Sequence, residues 1–206
     1  MIELFENNGS FNEEQLKVVF HIQRIEEMKV SNERVVFLNK IVNYVYKTAS
    51  EKKTPKLNFI CTHNSRRSQF CEAWSKVLAN RYGLNISFSS AGTTKTSVYK
   101  EVINSLKRAG LDINEKGILN IEGKSSILYS KTLDDIKENK FISITNCTDA
   151  EKNCPLDPRS HLNLNIFYDD PKKFDGMENE KKEYDKTCMS IAAEINVIFK
   201  SLINSV

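Results

Sequence analysis

The chain has 206 residues, 40% of them hydrophobic and 28% charged, with a formal net charge of +3. That length buries one good core with room for an appendage. So small a charge, spread as interleaved lysines and acids, gives no argument for nucleic acid and reads as a solvated surface. The N-terminus Met1-Ile2-Glu3-Leu4-Phe5-Glu6 lacks the basic start and apolar core of a signal peptide. No apolar run approaches the roughly 18 residues that span a membrane. The expected location is the cytoplasm, with no nucleic-acid or membrane partner. There the five cysteines, Cys61, Cys71, Cys147, Cys154 and Cys188, stay reduced unless redox chemistry is their function.

The first 54 residues carry helical signals and no strand. Asn12 can cap a helix bearing Leu16, Val19 and Phe20. Asn32 can cap a second, with Val35, Val36, Leu38, Ile41, Val42 and Val45 as its stripe. Thr48 to Lys56, with Pro55, reads as a linker. From Leu57 the pattern alternates. Leu57–Ile60 is a short strand, Arg67 to Arg81 a helix, and Ile86–Ser89 a strand ending at Ala91-Gly92. Val98 to Ala109 is an amphipathic helix closed by Gly110. Residues 112–130 are ambiguous. Lys131 to Asn139 predicts a short helix, Phe141–Ile144 a strand, Leu162 to Phe167 a fourth strand, and Tyr184 to Ile203 a long C-terminal helix. Strands alternating with such helices predict an α/β fold, a four-stranded parallel sheet with helices on both faces. The expected organisation is a helical extension over residues 1–54 and a catalytic domain over residues 55–206.

The segment after the first strand, Cys61-Thr62-His63-Asn64-Ser65-Arg66-Arg67-Ser68, carries the chemistry. A bare Cys-x5-Arg is weak by itself, and context strengthens it. The loop leaves an apolar strand and runs straight into a helix, where backbone N–H groups and the helix dipole favour an oxyanion. The same field, with Arg67 close by, favours the nucleophilic thiolate of Cys61. Ser68 can hydrogen-bond that thiolate, and Arg67 can grip two oxygens of a tetrahedral anion. Thr62, His63, Asn64, Ser65, Arg66 and Ser68 are the expected support of the bound anion, phosphate or arsenate, with no metal and no cofactor. The bland alternative is a buried cysteine beside a solvent-facing arginine pair.

Cys61, Asn64, Arg67 and Ser68 stand in the register Cys-x-x-Asn-x-x-Arg-Ser. In this the sequence resembles the low-molecular-weight protein tyrosine phosphatases and the arsenate reductases built on the same fold. The resemblance continues through Gln69, Glu72 and Trp74, through Ser89-Ser90-Ala91-Gly92-Thr93 and Leu106 to Ile113, and ends at Asp169-Asp170-Pro171. It runs from Lys56 onward and leaves the first 54 residues unaccounted for. It implies Cys61 as nucleophile and Asp170, directly before the proline, as the general acid that protonates the leaving oxygen. Pro171 fixes φ and stiffens that loop. Asp169 is the local competitor, and a plain surface turn is the bland reading.

Six residues separate Cys147 from Cys154, which Pro155 follows. A phosphatase does not need this pair, whereas thioredoxin-coupled arsenate reductases carry a similar Cys-x6-Cys-Pro segment here. The resemblance implies a relay in which Cys61 attacks arsenate, Cys147 attacks Cys61, Cys154 attacks Cys147, and thioredoxin reduces the final disulfide. Three other readings stand beside it. The two cysteines could be core residues, or they could protect Cys61 of a true phosphatase from oxidation. A zinc site is disfavoured by the spacing, with only His161 nearby.

The residues after Pro171, Lys172-Lys173-Phe174, lack the adjacent tyrosines with which the family's phosphatases flank an aromatic substrate. That favours a small inorganic oxyanion. His63 is expected at the rim, and Arg66 either adds charge for a larger phosphorylated ligand or faces solvent. Cys71 and Cys188 read as small core residues, and Trp74 as packing. Glu72, Ser90 and Asn64 match a monovalent-cation site of some reductases, whose remaining carboxylate has no counterpart here. The expectation is an arsenate reductase that converts arsenate to arsenite. The alternative is a phosphatase that hydrolyses phosphate monoesters through a Cys61–phosphate intermediate.

Overall fold

The computed structural model describes residues 23–147 and 157–204. Along the chain lie α1 (Asn32–Ser50), β1 (Lys56–Cys61), α2 (Arg67–Arg81), β2 (Ser87–Gly92), α3 (Lys100–Arg108), β3 (Ile118–Ile121), β4 (Lys124–Ile127), β5 (Phe141–Thr145), β6 (Ser160–Asn165) and α4 (Glu180–Asn204). Short 3-10 turns sit at Leu133–Asp135 and Pro171–Phe174. The main sheet is parallel, in the order β2-β1-β5-β6, so β1 is central and its C-terminal residue Cys61 pairs with Gly92. Ligand crevices of open parallel sheets form at that end of the strands.

The helix expected from Asn12 lies outside the described residues. α1 is capped by Ser31 rather than Asn32, because the Ser31 hydroxyl accepts the Arg34 N–H at 3.2 Å. Its stripe Leu38, Ile41, Val42 and Val45 is buried, whereas Val36 faces solvent. The helix continues to Ser50, which shortens the expected linker to residues 51–55. α1, α2 and α3 all pack on α4, and with it they cover one sheet face, reached by Leu57, Phe59, Ile142 and Ile144. No helix among the described residues is long and apolar enough to cross a membrane.

The opposite face is covered differently. Ile60, Cys61 and Cys147 form one small buried cluster, and Ala91, Ile136 and Phe141 another, with Leu133 against both. The expected helix from Lys131 to Asn139 is absent. Thr132 and Asp135 close a capping box around one 3-10 turn, and Ile136 then departs with extended backbone. A single turn followed by extended chain lets both Leu133 and Ile136 reach the sheet, and Lys137 to Lys140 supply no apolar stripe to prolong a helix. The ambiguous residues 112–130 contain the antiparallel hairpin β3–β4. Strand β6 begins at Ser160, two residues before the expected start. After Ile166, whose N–H bonds the Thr145 carbonyl at 2.9 Å, the chain swings off the sheet through Phe167 and Tyr168 to Asp170.

Candidate active site

The loop between β1 and α2 is held from outside by its carbonyls. The Thr62 carbonyl accepts from the Thr94 N–H and the Thr93 hydroxyl, and that of His63 from the Thr96 and Ser130 hydroxyls. The Asn64 carbonyl accepts from the Gln69 amide, and that of Ser65 from the Tyr99 N–H. With the carbonyls so engaged, the loop's N–H groups are left for an anion. Arg66, at the helix N-cap, makes no side-chain cap, so the positive end of α2 is also open to a ligand. Gly92 lies beneath the loop. A Cβ there would come within 2.8 Å of the Asn64 nitrogen and the Thr62 carbonyl oxygen, so no larger residue fits without moving the loop.

Inside the loop, Cys61 Sγ lies 3.0 Å from Ser68 Oγ, and both side chains are buried. Asn64 Nδ2 donates to Ser68 Oγ at 2.9 Å. The Ser68 oxygen therefore already accepts, and its proton is free to point at the Cys61 sulfur. Asn64 adopts a positive φ of 46°, which Asn tolerates better than most residues. Its Oδ1 accepts the Lys131 N–H at 2.7 Å.

Lys131 was not singled out in the sequence, and no motif marks it. Its ammonium is buried 3.2 Å from Glu72 Oε2, and Glu72 also accepts from Ser90 Oγ at 2.5 Å and from Lys76 at 2.6 Å. At the three residues that resemble a cation site, this chain thus supplies a cation of its own.

A cavity of about 100 Å³ opens over the loop, lined by Cys61, Thr62, His63 and Ser65, by Arg66 and Arg67, and by Asp170 and Lys172. Arg67 is buried. It donates to the Tyr168 carbonyl at 3.0 Å and to Asp170 Oδ2 at 2.5 Å, while its Nε has no partner among the described residues. Such a buried donor is a standing cost unless something binds it, and an oxyanion in the cavity would. The other oxygen of Asp170 accepts the Lys172 N–H at 3.0 Å, with Pro171 opening the turn between them. Asp169, the competitor, is exposed and does not line the cavity.

Arg66 does not simply face solvent. Its guanidinium lies 4.3 Å from the Tyr99 ring centroid, bonds the Tyr184 hydroxyl at 2.6 Å and pairs with Asp175. It lines the cavity while being tied to α4. The Tyr99 phenol is pushed up to about 12, chiefly by its hydrogen bond to Glu180, so it stays protonated as a donor. Lys172 also lines the cavity, though the sequence marked that stretch only for the tyrosines it lacks. His63 is exposed at the rim.

Cys147 is buried, and its Sγ lies 3.5 Å from Thr62 Oγ1 in the cluster that contains Cys61. Cys154 lies outside the described residues. Cys71 and Cys188 are buried in the main core, with the Trp74 indole N–H 3.2 Å from Cys188 Sγ. Burial raises the pKa of Cys71 well above the ordinary thiol range, and pushes that of Cys188 up to about 12.

A parallel sheet that delivers a cysteine into an anion-binding loop, with an arginine at the helix start and an aspartate-proline turn opposite, defines a class of thiolate enzymes acting on tetrahedral oxyanions. Comparison with known proteins narrows the class. Residues 56–140 match the family model described as low molecular weight phosphotyrosine protein phosphatase. An arsenate reductase of Bacillus licheniformis is 34% identical over 130 residues, which cover 63% of this chain and 82% of that protein. One from Staphylococcus aureus strain Newman is 34% identical over 122 residues, 58% of this chain and 79% of the relative. Among solved structures, a low molecular weight phosphotyrosine phosphatase from Vibrio cholerae O395 matches with a TM-score of 0.53 and 18% identity, over 73% of this chain and 98% of that one. An arsenate reductase from Archaeoglobus fulgidus matches with a TM-score of 0.50 and 20% identity, over 70% and 98%. The chain belongs to the family of low-molecular-weight phosphotyrosine protein phosphatases and the arsenate reductases built on the same fold.

Proposed function

We propose that this protein is an arsenate reductase that draws its electrons from thioredoxin. The observation that carries the reading is Cys147, buried against the Cys61 loop with Thr62 Oγ1 3.5 Å from its sulfur. The hydrolytic steps themselves use no second thiol, whereas a reductase needs one within reach of the adduct. The small cavity supports the same choice. At about 100 Å³, walled by Arg66, Arg67, Lys172 and loop N–H groups, it suits an inorganic oxyanion better than an aromatic phosphate. The relatives described as arsenate reductases point the same way.

The sequence of bonds follows. The Cys61 thiolate attacks arsenic, and Asp170, which takes up a proton from solvent as it parts from Arg67, passes it to the departing oxygen, which leaves as water. For that, Asp170 first exchanges its bond with Arg67 for one with the leaving oxygen, while Arg67 turns its freed N–H groups to the arsenate. The Cys147 thiolate then attacks Cys61 Sγ. The S–S bond forms, the S–As bond breaks, and its electron pair stays on arsenic, which departs as arsenite. Cys154 attacks Cys147 and frees Cys61. Thioredoxin dithiol reduces the Cys147–Cys154 disulfide, so two electrons pass from two thiols to one arsenate. The catalytic unit in this reading is residues 55–206, with residues 1–54 as an extension, and the compartment is the cytoplasm.

The test compares arsenate reduction with thioredoxin against aryl-phosphate hydrolysis, in the native protein and in Cys147→Ser. Reduction should vanish in the variant while Cys61-dependent hydrolysis, however slow, remains. Fast hydrolysis with no reduction in the native protein would make it a phosphatase instead.

A further inference from the structure

The family match begins at residue 56, yet a side chain from α1, well before it, reaches the acid loop. Arg34 Nε donates to Glu194 Oε1 on α4 at 2.8 Å, and its terminal nitrogen Nη2 donates to the Phe167 carbonyl at 3.0 Å. The same guanidinium lies 5.1 Å from the centroid of the Tyr168 ring, and the Tyr168 hydroxyl donates to the second Glu194 oxygen at 2.8 Å. The capped start of α1 at Ser31 fixes the turn that carries Arg34. One arginine therefore ties together α1, α4 and the two residues that lead from the sheet into Asp169-Asp170-Pro171.

Tyr168 is also bound on its other side. Its carbonyl accepts from Arg67 Nη1 at 3.0 Å, and its N–H donates to the Asn146 carbonyl at 3.2 Å, next to Cys147. Arg67 is tethered to the Tyr168 carbonyl and to Asp170. Both belong to the loop that Arg34 holds. Without Arg34, the half-buried Glu194 carboxylate loses its charge partner and the Phe167 carbonyl its donor, and nothing else on α1 replaces the planar fork. A displacement of the loop by about 1 Å is enough to cost a large part of the rate of a positioned reaction.

We propose that Arg34 is a positioning residue for the acid loop: through the Phe167 carbonyl and the Glu194–Tyr168 pair it sets where Arg67 is held and where Asp170 meets the cavity. The inference rests on reading Cys61, Arg67 and Asp170 as the catalytic groups. It gives the N-terminal extension a part in catalysis without any contact with substrate.

The experiment uses the full chain and the variants Arg34→Ala, Arg34→Lys and Asp170→Asn, with Cys61→Ser as background control. Cys61-dependent hydrolysis is measured for p-nitrophenyl phosphate, whose leaving group needs little protonation, and for phenyl phosphate, whose leaving group needs more. Hydrogen exchange of the amides in residues 166–172 is followed alongside. With Arg34→Ala, kcat should fall about tenfold or more for phenyl phosphate and markedly less for p-nitrophenyl phosphate, with KM little changed. Exchange in residues 166–172 should quicken while β1 and β5 keep their protection. Arg34→Lys keeps a charge beside Glu194 but cannot also serve the carbonyl. It should reproduce the leaving-group pattern with a melting temperature close to that of the native protein. Equal losses for both substrates, full recovery by Arg34→Lys, or unchanged exchange in residues 166–172 would each overturn the proposal. If Asp170→Asn leaves both substrates unaffected, the assignment of the acid fails, and the exchange result alone still decides whether Arg34 holds the loop.

Discussion

Lys131 Nζ lies 3.2 Å from Glu72 Oε2 with both side chains almost wholly buried, and the N–H of the same lysine donates to Asn64 Oδ1 at 2.7 Å. The pair thus connects to Cys61 in two further steps, from Asn64 Nδ2 to Ser68 Oγ and from Ser68 Oγ to Cys61 Sγ. A buried charge with a good partner is expensive to leave alone. Lys131→Met should destabilise the protein by about 2–3 kcal/mol, less than for an isolated pair because Lys76 still faces Glu72. Adding Glu72→Gln to Lys131→Met should recover part of that loss, and a denaturant double-mutant cycle measures the coupling.

Ser68 is predicted to act on the reactivity of Cys61. Ser68→Ala removes the hydroxyl 3.0 Å from Cys61 Sγ and leaves Asn64 Nδ2 without its acceptor. Alkylation of Cys61 by iodoacetate at neutral pH should slow by about tenfold, the size of one hydrogen bond to a charged group. Peptide mass mapping reads that rate at Cys61 apart from the other cysteines.

Asp170 is predicted to split turnover from binding. Its carboxylate competes with any oxyanion for Arg67, which it holds at 2.5 Å. Asp170→Asn should lower kcat for the first, Cys61-dependent step by about a hundredfold. Inorganic phosphate should inhibit the variant at least as tightly as the native protein, because the competing charge is gone. Weaker phosphate binding would show that Asp170 orders the site for the anion.

Cys188 links the core to pH. Its thiol is pushed up to about 12, first by burial, from the ordinary value of 9.0. A group with a raised pKa in the folded state lends stability that is complete below its unfolded pKa and is lost as pH rises toward the folded one. Stability should therefore decline between about pH 9 and pH 12, and Cys188→Ala should flatten that part of the curve in urea melts taken at several pH values.

The resemblance of Cys61, Asn64, Arg67 and Ser68 to a family loop made that end of β1 legible, and α2 runs over the residues expected because its apolar and small side chains repeat without a break. Other parts resisted for physical reasons. The hairpin β3–β4 turns on Glu122-Gly123, both at positive φ, and Glu-Gly is not the Asn-Gly or Asp-Gly signal of such a turn. Thr132 and Asp135 close a capping box around a single turn where a helix was expected. Lys131 and Arg34 left no local trace. Their partners Glu72 and Glu194 come close only through the fold, the latter 160 residues away along the chain. Such pairings have no period to read.

The most direct measurement of the central claim is a single turnover of Cys154→Ser with arsenate, without thioredoxin, followed by peptide mass mapping. Cys147 sits in the buried cluster with Cys61, so the variant should release one arsenite per chain and stop with a disulfide between these two residues. Release of arsenite with both thiols still free, or no arsenite while Cys147 stays intact, would contradict it.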